Sequence, residues 1–289
     1  MKRKKIISSI IAISMLLPMA ACSGKKTETP QIDGYNLLWS DEFDGRKMDE
    51  TKWNYEPHQP GWTNNELQEY TTSTDNVFVR DGKLVIKAIK TTKDGKDYYT
   101  SGKVTGQNKT DFQYGKVVVS AKVPEGQGLW PAIWMMPQNE TVYGQWPKCG
   151  EIDIMEYYLT GKEDVPTILA NVAWGNMRGA EWRTTHHPLS KFLEADPDWV
   201  EKYHIWTMDW TPEKIVLLLD GEVMNTVDLS ETVNTGFRAN GENPFSNDYP
   251  DFADYILLDH AIGQNGGDPS DTEFPQRYCI DYVRVYQNE

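Results

Sequence analysis

The chain has 289 residues, 39% hydrophobic and 25% charged, with 43 acidic against 29 basic side chains and a formal charge of −14. That balance excludes a protein that tracks nucleic-acid phosphates and favours a neutral partner over an anionic one. Three cysteines in this length exclude a disulfide framework, and the spacing of Cys149 and Cys279 leaves both pairing and buried thiols open.

In chain order, Lys2-Arg3-Lys4-Lys5 precedes an apolar stretch from Ile6 to Met19 and then Ala20-Ala21-Cys22. A basic start, a short apolar run and small residues before a cut form a secretory signal, and the run is short for a membrane span. The small residues before a cysteine resemble a bacterial lipobox. Residues 1–21 therefore read as a lipoprotein signal peptide, Cys22 as the lipidated first residue, and residues 22–33 as a polar tether. The expected address is the bacterial cell envelope, anchored by lipid to the outer membrane, with the leaflet left open. Loss of residues 1–21 removes four basic side chains and takes the formal charge to −18.

Residues 34–289 fit one all-β domain. Short alternations of apolar and polar residues recur at Val77–Val79, Lys83–Ile89, Lys116–Val123, Ile168–Val172, Ile215–Leu219 and Tyr278–Tyr286. Turn residues such as Asp81-Gly82, Asp94-Gly95 and Asp220-Gly221 separate them, which is the pattern of a sandwich or jelly roll. Ser190–Lys202 is the one helical candidate. The Gly-, Asn- and Pro-rich stretch Asn234–Asp254 reads as a long loop, a type of segment that often walls a binding site. No repeat or second domain is visible, and the chain is expected to act as a monomer.

The chemistry concentrates at Glu151-Ile152-Asp153-Ile154-Met155-Glu156. Strand alternation puts Glu151 and Asp153 on one face and the isoleucines on the other. One extra residue near Met155 returns Glu156 to the acidic face. Acids held together raise one another's pKa, a cost that is useful when a pair works as nucleophile and proton donor in glycoside hydrolysis. Trp130, Trp134 and Trp146 flank the segment and offer flat faces to sugar C–H bonds. No cofactor is needed for such chemistry. Clustered acids can also take a divalent cation, but such sites usually draw on loop carbonyls and turn glycines.

The run Gly150-Glu151-Ile152-Asp153-Ile154-Met155-Glu156 resembles the signature of glycoside hydrolase family 16, in its laminarinase-like branch. Supporting stretches are Trp39-Ser40-Asp41-Glu42-Phe43, Asn64–Thr71, Gly128–Met135, Asp209-Trp210-Thr211-Pro212 and Ile280–Tyr286. The resemblance implies a β-jelly-roll sandwich whose concave sheet forms the substrate cleft. It also implies Glu151 as nucleophile, Glu156 as acid/base, Asp153 as the assisting acid, and sugar contacts from Asn65 and Glu66 on the glycone side. A structural calcium on Glu42, the Gly82 carbonyl and Asp281 is a further implication.

The chain departs from that pattern at Leu258-Asp259-His260-Ala261 and at Val172-Ala173-Trp174-Gly175. Asp259, His260 and Trp174 are therefore candidate sugar contacts that could alter specificity. The activity expected is a retaining endo-β-glycanase on β-1,3- or mixed β-1,3/1,4-glucan. An endo-β-galactosidase acting on galactan or on poly-N-acetyllactosamine and mucin O-glycans is the alternative within the class. A non-catalytic glycan-binding lipoprotein is the alternative outside it.

Overall fold

Strands dominate the regular structure of the described residues, and tight turns join many of them. A computed structural model describes residues 29–236, 241–249 and 252–288. The chain divides into Met1–Gln31 and a unit spanning Ile32–Glu289; Cys22, the leader and most of the tether lie outside the described residues. The strands of the larger unit are β1 (Tyr35–Asp41), β2 (Asn54–Tyr55), β3 (Gln68–Tyr70), β4 (Val77–Arg80), β5 (Lys83–Lys93), β6 (Lys96–Ser101), β7 (Lys103–Thr105), β8 (Gly115–Lys122) and β9 (Leu129–Pro137). They continue as β10 (Glu151–Thr160), β11 (Val165–Asn176), β12 (Gly179–Pro188), β13 (His204–Trp210), β14 (Lys214–Leu219), β15 (Glu222–Asp228), β16 (Asp254–Ile262) and β17 (Gln276–Asn288). The helical candidate resolves into a short helix, α1 (Leu189–Ala195), and a single 3-10 turn at Trp199–Glu201.

Two sheets form a jelly-roll sandwich. The larger runs β15-β14-β13-β8-β17-β5-β6-β3, with β1 paired to β17 and β4 to β5. The smaller runs β12-β11-β10-β9-β16-β7-β2. Between them, Val117, Val119 and Ala121 of β8 and Trp206, Met208 and Trp210 of β13 share a buried core with Ile152 and Ile154 of β10 and Val172 and Trp174 of β11. Period-two alternation makes this possible: alternate residues of each of these strands turn toward the shared core. The last strand, β17, lies inside the larger sheet, bonded to β8, β5 and β1.

The outer face of the smaller sheet carries the cleft, and β10 lies inside that sheet between β11 and β9. Pairing of β10 with β11 changes register between Asp153 and Glu156, and pairing with β9 changes between Asp153 and Met155. Glu151, Asp153 and Glu156 consequently face the same cavity. Gly150 aims the strand. It sits at φ +88°, and a Cβ there would lie 2.7 Å from the Phe245 ring. Phe245 is itself wholly buried, and its carbonyl accepts from Trp210 Nε1 at 2.9 Å. The described part of the 234–254 loop thus packs behind β10 and contributes no cleft wall, contrary to the expectation from its composition.

Gly150→Ala combines a left-handed backbone with a clash against a fixed ring. It should cost roughly 1–3 kcal/mol of stability, read as a lowered melting temperature. An unchanged melting temperature would show that the Phe245 loop yields freely.

Candidate active site

The cleft encloses about 710 Å³. Its floor is a set of carboxylates, and each of three tryptophans donates its indole N–H to a different one. Trp146 Nε1 bonds Glu151 Oε2 at 2.6 Å, Trp130 Nε1 bonds Glu156 Oε1 at 2.7 Å, and Trp134 Nε1 bonds Asp259 Oδ1 at 2.6 Å. The second oxygen of Glu156 accepts from Asn171 Nδ2 at 2.6 Å, and that of Asp259 accepts from the Tyr70 hydroxyl at 2.9 Å.

Burial dominates the proton affinities. Glu156 is pushed up to about 8, chiefly by loss of solvent, although the Trp130 and Asn171 bonds pull the other way. Asp153 is raised well above the usual carboxylate range by burial and then by the charges of Glu151 and Glu156. Glu151 is raised by burial, against the Trp146 bond and a hydrogen bond with Asp153. The Asp153–Glu151 hydrogen bond acts oppositely on its two partners, lowering Glu151 and raising Asp153. Burial raises the proton affinity of all three acids. Asp259 rises to about 6, again through burial, with Lys103 opposing.

Of the substrate contacts expected from sequence, Glu66, Trp130, Trp134, Trp146 and Asp259 line the cleft. Three do not. Asn65 is exposed and turned away, and its neighbour Asn64 lines the cleft instead. Both residues have positive φ, near 50°, so the chain twists through the pair and strand-like alternation does not hold there. Trp174 is buried in the sandwich core. It alternates with Asn171 and Ala173, whose partners across β10 are Asp153 and Glu151, and so takes the inner face. His260 is wholly buried on the inner face of β16. Its ring lies against the Ile86 backbone and is pushed down to about 3 by burial, yet neither nitrogen closes a hydrogen bond.

The proposed calcium ligands are committed elsewhere. Both Glu42 oxygens accept from the Arg284 guanidinium, at 2.9 and 2.7 Å, and Asp281 pairs with Lys83 at 3.3 Å. Gly82 occupies the β4–β5 turn at φ +73°. Two acids already neutralised by cations make a poor cradle for Ca²⁺, and no group of three His, Cys, Asp or Glu among the described residues is arranged for a metal. Cys149 and Cys279 are both free thiols.

Several cleft residues gave no signal in the sequence. Lys103, only 3% exposed, lies 4.8 Å from the Trp62 and Trp134 rings and 3.2 Å from Glu56. His58 stacks on Trp62 with ring centroids 3.5 Å apart. Asn171, Tyr158, Trp182, Thr184 and His186 complete the far wall. Lys103 and Trp182 read locally as solvated strand residues, and only the pairing of distant strands brings them to the cleft.

A jelly roll whose open sheet gathers carboxyl groups of raised proton affinity among indole donors defines a glycoside hydrolase. Residues 64–246 match the model of glycosyl hydrolases family 16, and the chain belongs to that family. It is 35% identical to glucan endo-1,3-beta-glucosidase A1 of Niallia circulans over 90% of its own length, and it spans 39% of that relative's length. It is 32% identical to a beta-glucanase of Rhodothermus marinus, covering 98% of this chain and 93% of the other. Among solved structures, a non-specific endo-β-1,3(4)-glucanase co-crystallised with 1,3-β-D-cellotriosyl-glucose superposes with a TM-score of 0.71 at 33% identity, covering 89% of this chain and 96% of that one. A structure reported with endo-acting O-glycanases that prominent members of the human gut microbiota express to initiate mucin breakdown gives 0.72 at 28% identity, covering 89% and 92%.

The pKa of Glu156 sets a stability test. Its folded value, near 8, lies above the ordinary 4.5, so the folded state binds the extra proton. Wild-type stability should fall as pH rises from about 4.5 to about 8 and then level off with respect to this group. Glu156→Gln removes that dependence, so its melting temperature should exceed the wild-type value by several degrees at pH 8 and by much less at pH 5. An equal difference at both pH values would mean that Glu156 is not held protonated.

Proposed function

We propose that this protein is a retaining endo-β-glycanase acting on β-1,3- or mixed β-1,3/1,4-glucan. The observation that carries the reading is the gathering of Glu151, Asp153 and Glu156 in one cleft, with Trp146 and Trp130 donating to the two glutamates. We read the register shift between Asp153 and Glu156 as the β-bulge that brings them together. Two acids from a single strand suit the short separation, about 5–5.5 Å, of double displacement better than the wider gap of inversion.

In that scheme Glu151 attacks the anomeric carbon while Glu156 gives its proton to the departing glycosidic oxygen. Asp153 holds Glu151 through a hydrogen bond, and Trp146 fixes its other side. Glu156, now ionised, takes a proton from water, and the resulting hydroxyl displaces Glu151 from the glycosyl-enzyme. No cofactor enters. The arrangement argues against a purely binding role, because a pure binder has no need of both Glu151 and Glu156.

Laminarin, lichenan, agar and mucin glycans form the test panel, scored by release of reducing ends. Laminarin or lichenan should be cleaved, with the β-anomer appearing first by proton NMR, and Glu151→Gln should lose at least about a thousandfold in turnover while melting as a folded protein. Near-wild-type turnover by that variant would overturn the assignment. A second reading, an endo-β-galactosidase, draws on the similarity to the structure reported with O-glycanases and on Asp259 in the cleft. Cleavage of agar or mucin glycans in place of glucan would select it.

The leader and Cys22 support a lipid-anchored envelope protein that works as a monomer on a glycan chain. Wild-type protein should partition with membranes, and Cys22→Ala should be released or keep its leader. Identical soluble fractionation of both forms would remove the anchor.

A further inference from the structure

Cross-strand register carries the three acidic positions outward onto β12. Glu151 pairs with Ala173, which pairs with Trp182; Asp153 pairs with Asn171, which pairs with Thr184; Glu156 pairs with Leu169, which pairs with His186. In each row the β12 residue lies two strand spacings, roughly 9–10 Å, from its acid. Trp182, Thr184 and His186 are alternate residues on one face of the strand, and all three line the cleft.

Trp182 is 41% exposed and stands outside the sandwich core. Its ring centroid is 6.3 Å from that of Trp146 with a 52° tilt, and Trp146 is 47% exposed and hydrogen-bonded to Glu151. Two large indoles side by side in an open cleft present apolar surface that the fold does not use. The opposite flank carries one exposed indole, Trp62, already stacked on His58, beside Lys103, Glu66 and Asp259, which are buried and bonded to neighbours. That flank includes Asn64 and Glu66, from the segment whose family resemblance assigns it to the glycone.

We propose that Trp182, Thr184 and His186 form a subsite for a pyranose ring of the departing part of the chain, beyond the bond that is cut. The inference rests on the reading of Glu151 and Glu156 given above. The indole of Trp182 stacks on the apolar C–H face of the ring, and the Thr184 hydroxyl and His186 imidazole meet its hydroxyls. Register fixes the distance: a ring over Trp182 lies past the sugar that bonds directly to the leaving oxygen. Binding energy at such a remote ring holds the chain across the acids and lowers KM for long substrates.

The test compares Trp182→Ala, Trp182→Phe and wild type on two substrates. One is laminarin, or whichever panel polysaccharide the wild type cleaves fastest. The other is the 4-nitrophenyl β-glycoside of its repeating disaccharide, whose leaving group ends before β12. For Trp182→Ala, KM on the polysaccharide should rise about tenfold, whereas KM on the aryl glycoside should rise less than twofold. Trp182→Phe should recover most of the polysaccharide KM, because a flat ring remains. Transfer to added oligosaccharide acceptor should fall relative to hydrolysis in Trp182→Ala. Equal losses on both substrates, or no loss on either, would overturn the subsite. Turnover of the panel by wild-type protein separately tests the hydrolase reading, so the two failures are distinguishable.

Discussion

The arrangement of the cleft depends on one irregularity in one strand. Without the change of register between Asp153 and Glu156, alternation would send Glu156 into the sandwich beside Ile152 and Ile154. An ionisable side chain in that core would meet a cluster of aromatic and aliphatic side chains. With the shift, it joins Glu151 and Asp153 in a cleft where both glutamates accept from indole donors. The rest of the smaller sheet supports this: β9 supplies indoles from one side, and β11 supplies Asn171 from the other.

Crowding buried carboxyl groups is expensive, and the indole donors limit the cost without cancelling it. An N–H at 2.6–2.7 Å stabilises a carboxylate, but an indole brings no charge, so it cannot neutralise one. Lysine or arginine in the same places would hold Glu156 ionised and remove its proton at neutral pH. Tryptophan satisfies the oxygens, keeps the proton affinity high and exposes a flat apolar surface to the cleft. A buried cation nearby, Lys103, is stationed by Glu56 and two rings on the flank beside Asp259.

Much of this was legible in sequence where the signal was local. The alternation of Glu151, Asp153 and the isoleucines, the flanking tryptophans and the jelly-roll strand pattern all concern residues close in the chain. Trp174 and His260 went wrong for a shared reason. β11 and β16 are buried on both faces, so their sequences carry no polar row to mark which side meets the cleft. Asn65 was misplaced by one residue because two successive left-handed residues break the alternation. Trp182 and Lys103 reach the cleft only through the pairing of strands far apart in sequence. Glu42 and Asp281 showed their acids but not the cations facing them.

The position of β17 has a bearing on how the chain is made. The final strand is hydrogen-bonded to β8 on one side and to β5 on the other, and the first strand, β1, also pairs with it. Until residues 276–288 emerge, β8 and β5 have bare edges facing each other and β1 has no partner. Non-local pairing of this kind is slow and comes late. A partly synthesised chain cannot close its larger sheet, so completion of that sheet waits for the last strand, and loss of residues 276–288 would open it between β8 and β5.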